Sequence, residues 1–265
     1  MFLKMTSRLL ILLTLTSCVA DLVVFNRPKN VDFQKCDSAK VNNWKIVDRP
    51  DPNIKRGRLR YYIRETPMAK SYLINWHGKG ESACSSIRLT KQLEKEPVNI
   101  VYVEYPGFAQ VKKSPLPSQK RILQNSISVF KDLQKENIFN LPMYIYGVSL
   151  GTGPATYLAT QVDADGLILH APYTSIYEAA KNMFKIVPYG LIRSTFKSYK
   201  WAPKVSEPVL IFHGTNDKQI PISMGRKLAD KFTNTYVDFV ELPGGHNSIV
   251  NSQKYWEKIR EFIGL

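Results

Sequence analysis

Apolar residues along the chain fall into short blocks of two kinds, one alternating or continuous over four to eight positions and one recurring every three or four. The first kind predicts strands at Trp44–Val47, Arg58–Arg64, Ala69–Trp76, Val98–Val103, Met143–Tyr146, Gly166–His170, Pro208–Gly214 and Tyr236–Val240. In Arg58–Arg64, Leu59, Tyr61 and Ile63 fall on one face and Arg58, Arg60, Tyr62 and Arg64 on the other, as expected of a half-exposed sheet edge. The second kind predicts helices. Ile87, Leu89 and Leu93 mark one; Ser118 caps a long amphipathic helix carrying Ile122, Leu123, Ile127, Phe130 and Leu133, with Val129 widening the apolar face. Ala155, Leu158 and Ala159 mark a third, Ile176, Ala180, Met183 and Val187 a fourth, and Met224 to Phe232 a fifth. Trp256, Ile259, Phe262 and Ile263 supply the buried face of the last. Strands alternating with helices predict an α/β fold, a mostly parallel central sheet with helices on both faces.

The stretch 171–203 is too long for a tight connection and is expected to form a small cap on a domain spanning residues 44–265. Within it Met183, Phe184, Ile186 and Val187 either line an acyl pocket or, the reading preferred, form the core of the cap. Residues 18–43 are polar and weakly patterned, and read as a tether and extension packed against the body. The first 17 residues differ from both. Lys4 and Arg8 precede the apolar run Leu9–Leu15, which is too short to span a bilayer, so 1–17 reads as a secretory signal peptide. Leu15-Thr16-Ser17-Cys18 resembles the lipobox of bacterial lipoproteins, which implies cleavage before Cys18 and a lipid on its thiol. A plain signal peptide cut near Ala20 is the alternative. By the same resemblance, Val19 in place of aspartate leans towards the outer membrane, on the periplasmic side or the surface.

With Cys18 set aside, Cys36 and Cys84 remain as an even pair in an exported chain and are expected to form a disulfide tying the extension to the body; two buried thiols are the alternative. The 265 residues, 44% of them hydrophobic, suffice for one sizeable core, with no repeat or low-complexity tract. A net charge of +15 favours anionic head groups or other acidic partners, the bland reading being a solvated lysine-rich face. No nucleic-acid motif accompanies the charge, so no nucleic-acid partner is expected. Neither a metal-ligating cluster nor a dinucleotide motif is present, and no cofactor is expected.

The candidate chemistry centres on Gly147-Val148-Ser149-Leu150-Gly151, a G-x-S-x-G between a predicted strand and a predicted helix. A sharp turn there strains the serine backbone, and the flanking glycines let neighbouring chain approach without a Cβ clash. A serine hydroxyl becomes a useful nucleophile only beside a base, and the base needs a third group to hold its tautomer. Four histidines compete for that role. His77 and His213 each precede a glycine at a strand end and look structural, and His170 reads as a satisfied histidine at the end of its strand. His246 lies in the glycine-rich loop Leu242–Asn247, where a scaffold-held catalytic group is expected. Asp217, just past the strand ending at Gly214, is the candidate acid. The order Ser149, Asp217, His246 differs from both protease orders. The backbone N–H groups of Leu150 and Lys79 are the candidate oxyanion donors.

Together His77–Gly80, Tyr105–Phe108, Gly147–Gly151, His213–Asp217 with Ile220-Pro221 and Gly225–Leu228, and Gly244–Asn247 resemble the α/β-hydrolase superfamily. The likeness is to its depalmitoylating thioesterase-like and monoacylglycerol-lipase-like branch, and extends from Tyr72 to the C-terminus. It implies the α/β-hydrolase fold and a serine hydrolase cleaving an ester or thioester, acyl and lipid esters among them, through an acyl-enzyme. Peptidase chemistry on the same fold is one alternative and a non-catalytic binding lipoprotein another. Two positions depart from the branch. Lys79 stands where asparagine is frequent, and Ala109–Lys113 replaces a glycine- and serine-rich loop, both near the expected substrate entrance.

Overall fold

A computed structural model describes residues 24–25, 43–108, 115–183 and 192–265. The expected signal peptide, Cys18, Cys36, most of the extension, the departing loop 109–113 and Phe184, Ile186 and Val187 lie outside the described residues.

Eight strands form one sheet: β1 (Lys45–Pro50), β2 (Arg58–Arg64), β3 (Ser71–Trp76), β4 (Val98–Val103), β5 (Met143–Val148), β6 (Gly166–His170), β7 (Val209–Gly214) and β8 (Val237–Leu242). Their order is β1-β2-β4-β3-β5-β6-β7-β8. Pairing is antiparallel from β1 to β2 and from β2 to β4, and parallel from β4 onwards. The period-two pattern explains the layering. Tyr72, Ile74 and Trp76 of β3, Met143 and Ile145 of β5 and Leu167 and Leu169 of β6 enter one apolar cluster. Leu73, Tyr146 and Ile168, their in-between neighbours, enter a second cluster on the other face.

Helices α2 (Gln119–Glu136), α3 (Thr152–Ala159) and α6 (Ile222–Ala229) cover the first face through residues such as Phe130, Leu158 and Leu228. The one-turn α1 (Ala83–Ser86) and α7 (Gln253–Phe262) cover the second through Ala83, Tyr255 and Ile259. Ser118 caps α2 as expected, its hydroxyl accepting the Arg121 N–H at 3.4 Å.

Three expectations change. β2 is an interior strand, because β1 pairs along its outer edge, and it is buried on both faces. Arg60 and Arg64 are consequently buried, and Arg64 Nη2 donates to the Leu93 carbonyl at 2.9 Å. The helix expected around Ile87–Leu93 breaks into α1 and a 3₁₀ segment, with non-helical backbone at Thr90. There the Tyr102 hydroxyl donates to Thr90 Oγ1 at 3.2 Å, drawing the chain onto β4. In the 171–203 stretch, α4 (Ile176–Met183) buries Ala179 and leaves Met183 exposed, so Met183 is not cap core. Phe196 and α5 (Ser198–Trp201) settle on the sheet's helical layer, Trp201 meeting Tyr157 edge-on.

Val24 and Phe25 of the extension are both buried in the first cluster. Phe25 sits between Phe108 and Phe196, with ring centroids 6.4 and 6.1 Å away. Phe25→Ala should therefore lower the stability of the full chain by about 3 to 5 kcal/mol. Thermal and urea unfolding would check this; a loss below about 1 kcal/mol would mean the extension is not integral to the core.

Candidate active site

The turn from β5 into α3 is a single strained residue. Ser149 has φ of 50°, the left-handed region, which costs a non-glycine residue about 1 to 3 kcal/mol. Surrounding contacts hold it there. Thr152 Oγ1 donates to the Ser149 carbonyl at 2.7 Å, and the Tyr173 hydroxyl donates to the Leu150 carbonyl at 2.9 Å. At Gly151 a methyl group would lie 2.1 Å from the Trp76 carbonyl oxygen, and at Gly147 one would lie 2.6 Å from the Gly151 oxygen. The elbow therefore seats directly against the end of β3.

Asp217 follows β7 and His246 follows β8, so both stand on the same carboxyl edge of the sheet as Ser149. His246 Nδ1 lies 2.7 Å from Asp217 Oδ2, and His246 Nε2 lies 2.9 Å from Ser149 Oγ. A carboxylate only accepts, so the His246 proton is on Nδ1, and the Nε2 lone pair accepts from the serine hydroxyl. Burial works against a charged Asp217. Hydrogen bonds from His246 and from the Ile220 and Gln219 N–H groups outweigh it and hold the carboxyl below its ordinary range. His213, fully buried with Nε2 donating to the Ile220 carbonyl at 2.8 Å, is kept neutral by burial and supports the same turn.

The turn after β3 closes the other side of the serine. A methyl at Gly78 would lie 3.6 Å from Ser149 Cβ, so Lys79 follows a residue packed on Ser149, with its own side chain exposed. Leu150 is buried in the first turn after Ser149. His77 is buried between Tyr105 and Phe108, its Nε2 lies 3.3 Å from Glu104 Oε1, and the Tyr105 hydroxyl donates to its carbonyl at 2.8 Å. Glu81 Oε2 accepts the Gly78 N–H at 3.2 Å. Cys84, in α1 just beyond this turn, is disulfide-bonded, so the free-thiol alternative is excluded for it.

His170 was expected to be satisfied, and it is, but its partners bring it to the site. Its Nε2 lies 2.8 Å from the His246 carbonyl oxygen and its Nδ1 2.9 Å from the Tyr255 hydroxyl. Tyr255 in turn hydrogen-bonds Tyr146. No sequence spacing links these residues; only the sheet order and the docking of α7 do so. Complete burial holds the His170 ring down at about 4, despite the bond to the His246 carbonyl.

The sheet with its lone antiparallel strand, the strained serine and the acid and histidine from successive strand ends coincide with what comparisons find. The family described as "Serine aminopeptidase, S33" matches residues 67–188. Lysophosphatidylserine lipase ABHD12 of Macaca fascicularis is 29% identical, covering 90% of this chain and 67% of its own. The chain has the α/β-hydrolase fold. Alpha/beta hydrolase domain-containing protein aho-3 of Caenorhabditis elegans is 30% identical over 63% of this chain. The chain spans 49% of the nematode protein's length. Among solved structures, an esterase from Pyrococcus furiosus superposes with a TM-score of 0.70 at 13% identity, covering 89% of this chain and 95% of its own. An alpha-beta hydrolase from Vibrio vulnificus does so with 0.69 at 22%, covering 89% and 88%. At these identities the two structures speak for the fold alone.

His170 carries a pH consequence. The unfolded chain protonates this ring near 6.5 and the folded one only near 4, so the unfolded state binds more protons between those values. Its contribution to stability is complete above pH 6.5 and is lost as pH falls towards 4, by about 3 kcal/mol. Thermal midpoints measured from pH 7 to 4.5 should drop more steeply for the wild type than for His170→Phe. Parallel curves would show that the ring takes up a proton without opposing the fold.

Proposed function

We propose that this hydrolase cleaves a carboxylic ester or thioester, lipid-linked in its natural substrate, through an acyl-enzyme on Ser149. The observation that carries the reading is the continuous hydrogen-bonded line from Asp217 through His246 to Ser149. His246 Nε2 takes the serine proton as Oγ attacks the carbonyl carbon, and Asp217 stabilises the imidazolium that forms. The N–H groups of Leu150 and Lys79 receive the developing oxyanion. His246 then returns the proton to the departing alcohol or thiol, and water releases the acyl group by the same steps reversed. The lipase name borne by the macaque relative supports the ester side of the reading, and the family description supports testing amide substrates beside it.

The purified protein should react with a fluorophosphonate probe and hydrolyse p-nitrophenyl esters, with the optimum acyl length sizing the pocket. Ser149→Ala and His246→Ala should abolish labelling, and Asp217→Asn should lower kcat by about 10³-fold or more with the fold intact. Failure of the folded wild type to label would favour a binding role. Faster cleavage of aminoacyl p-nitroanilides than of every ester would favour a peptidase.

The lipobox-like Leu15–Cys18 supports a reading in which the enzyme is held on the bacterial envelope by a lipid on Cys18. Cys18→Ser should move it from the membrane to the soluble fraction of fractionated cells; unchanged partition would rule the anchor out.

A further inference from the structure

We propose that His170 is a positioning residue for His246: its imidazole clamps the main chain of the catalytic histidine through a one-way hydrogen-bond chain anchored at Tyr146 and Tyr255. The inference rests on the serine-hydrolase reading and extends it to three residues that touch no reacting atom.

The chain's direction follows from which groups can donate. The His246 carbonyl only accepts, so His170 Nε2, 2.8 Å away, carries the proton. The ring is fully buried and neutral, so Nδ1 has a lone pair and accepts from the Tyr255 hydroxyl at 2.9 Å. With its proton committed to His170, the Tyr255 oxygen accepts from Tyr146. Tyr146 is on β5 three residues before Ser149, His170 ends β6, and Tyr255 is on α7. The clamp thus ties the histidine loop to the strand that carries the nucleophile.

Gly244 has φ of 134°, and the turn is held by Asn216 N–H donating to the Gly244 carbonyl at 2.9 Å and by Gly245 N–H donating to Ser248 Oγ at 2.8 Å. The bond to the carbonyl of residue 246 itself comes from His170. The imidazole is held at both nitrogens, but those bonds orient the ring only if its Cα stays in place. The opposite tautomer of His170 would set a bare Nε2 against the carbonyl oxygen and push the loop away. The accept-only carbonyl demands the Nε2–H tautomer, and Tyr255 supports it by donating to Nδ1.

The test compares His170→Phe, which keeps a ring and removes the donor, with His170→Gln, whose side-chain amide puts an N–H close to the former Nε2, and Tyr255→Phe, which removes the support at Nδ1. Turnover of a p-nitrophenyl ester is normalised to fluorophosphonate-titrated sites, so partial misfolding does not count. His170→Phe should lower kcat about tenfold with KM within about twofold, His170→Gln should recover to within about threefold of wild type, and Tyr255→Phe should fall about threefold or more. Amide exchange in 244–247, read by mass spectrometry, should quicken in His170→Phe and Tyr255→Phe and stay unchanged in Ser149→Ala. Wild-type kcat and exchange in Tyr255→Phe would overturn the clamp, as would equal losses in His170→Phe and His170→Gln. If His170→Phe does not fold, Tyr255→Phe against His170→Gln decides by the same two readouts. Failure of the hydrolase reading shows separately, as an unlabelled wild type or an active Ser149→Ala.

Discussion

The close approach of Gly151 to the end of β3 is the constraint on which the rest of the site depends. With no Cβ at 151, the turn after Ser149 reaches the Trp76 carbonyl, and the serine is held in a backbone conformation it would not adopt alone. That one contact sets the elbow beside the turn at Gly78 and aims Oγ at the loop after β8. The strain is over-determined by its surroundings: Tyr173 and Thr152 hold the carbonyls of the turn, and α3 packs its small residues on the sheet.

Electrostatically the carboxyl edge sorts its titratable groups by partner rather than by type. Asp217 stays ionised because three donors converge on it, while His170 and His213 stay neutral because burial removes the water that would solvate a cation. A charged His170, its ring centroid 6.4 Å from that of His246, would oppose the imidazolium of the proposed mechanism. Burial pushes His170 and His213 towards the neutral form, which in that mechanism leaves Asp217 to answer the charge on His246.

The alternation of apolar residues identified the strands closely, and β6 coincides with its expected bounds. It misjudged β2, because a strand with arginines on one face reads as exposed whatever lies over it. β1, whose own pattern is weak, takes the edge, and the segment at Leu93 meets Arg64 on the arginine face. The helix around Ile87–Leu93 failed for a related reason: its spacing is helical, but Thr90 has a partner on β4 that periodicity does not contain. Among the candidate residues, Ser149, Asp217 and His246 were legible because each stands in a short glycine-containing segment at a strand end, a local signal of an exposed edge position. Tyr146, His170 and Tyr255 were not, since each sits inside an ordinary strand or helix and looks like core.

By itself the sequence determined what is local: the period of each element, the glycines that a tight turn demands, and the residue types able to act as nucleophile, base and acid. The tertiary structure decided what depends on contacts between distant segments. It set the strand order that lines Ser149, His170, Asp217 and His246 along one edge, the burial that neutralises His170, and the packing of α7 that brings Tyr255 to it. The division has a physical cause. Backbone sterics and side-chain periodicity act over a few residues, whereas desolvation and hydrogen-bond partnership are properties of the assembled core.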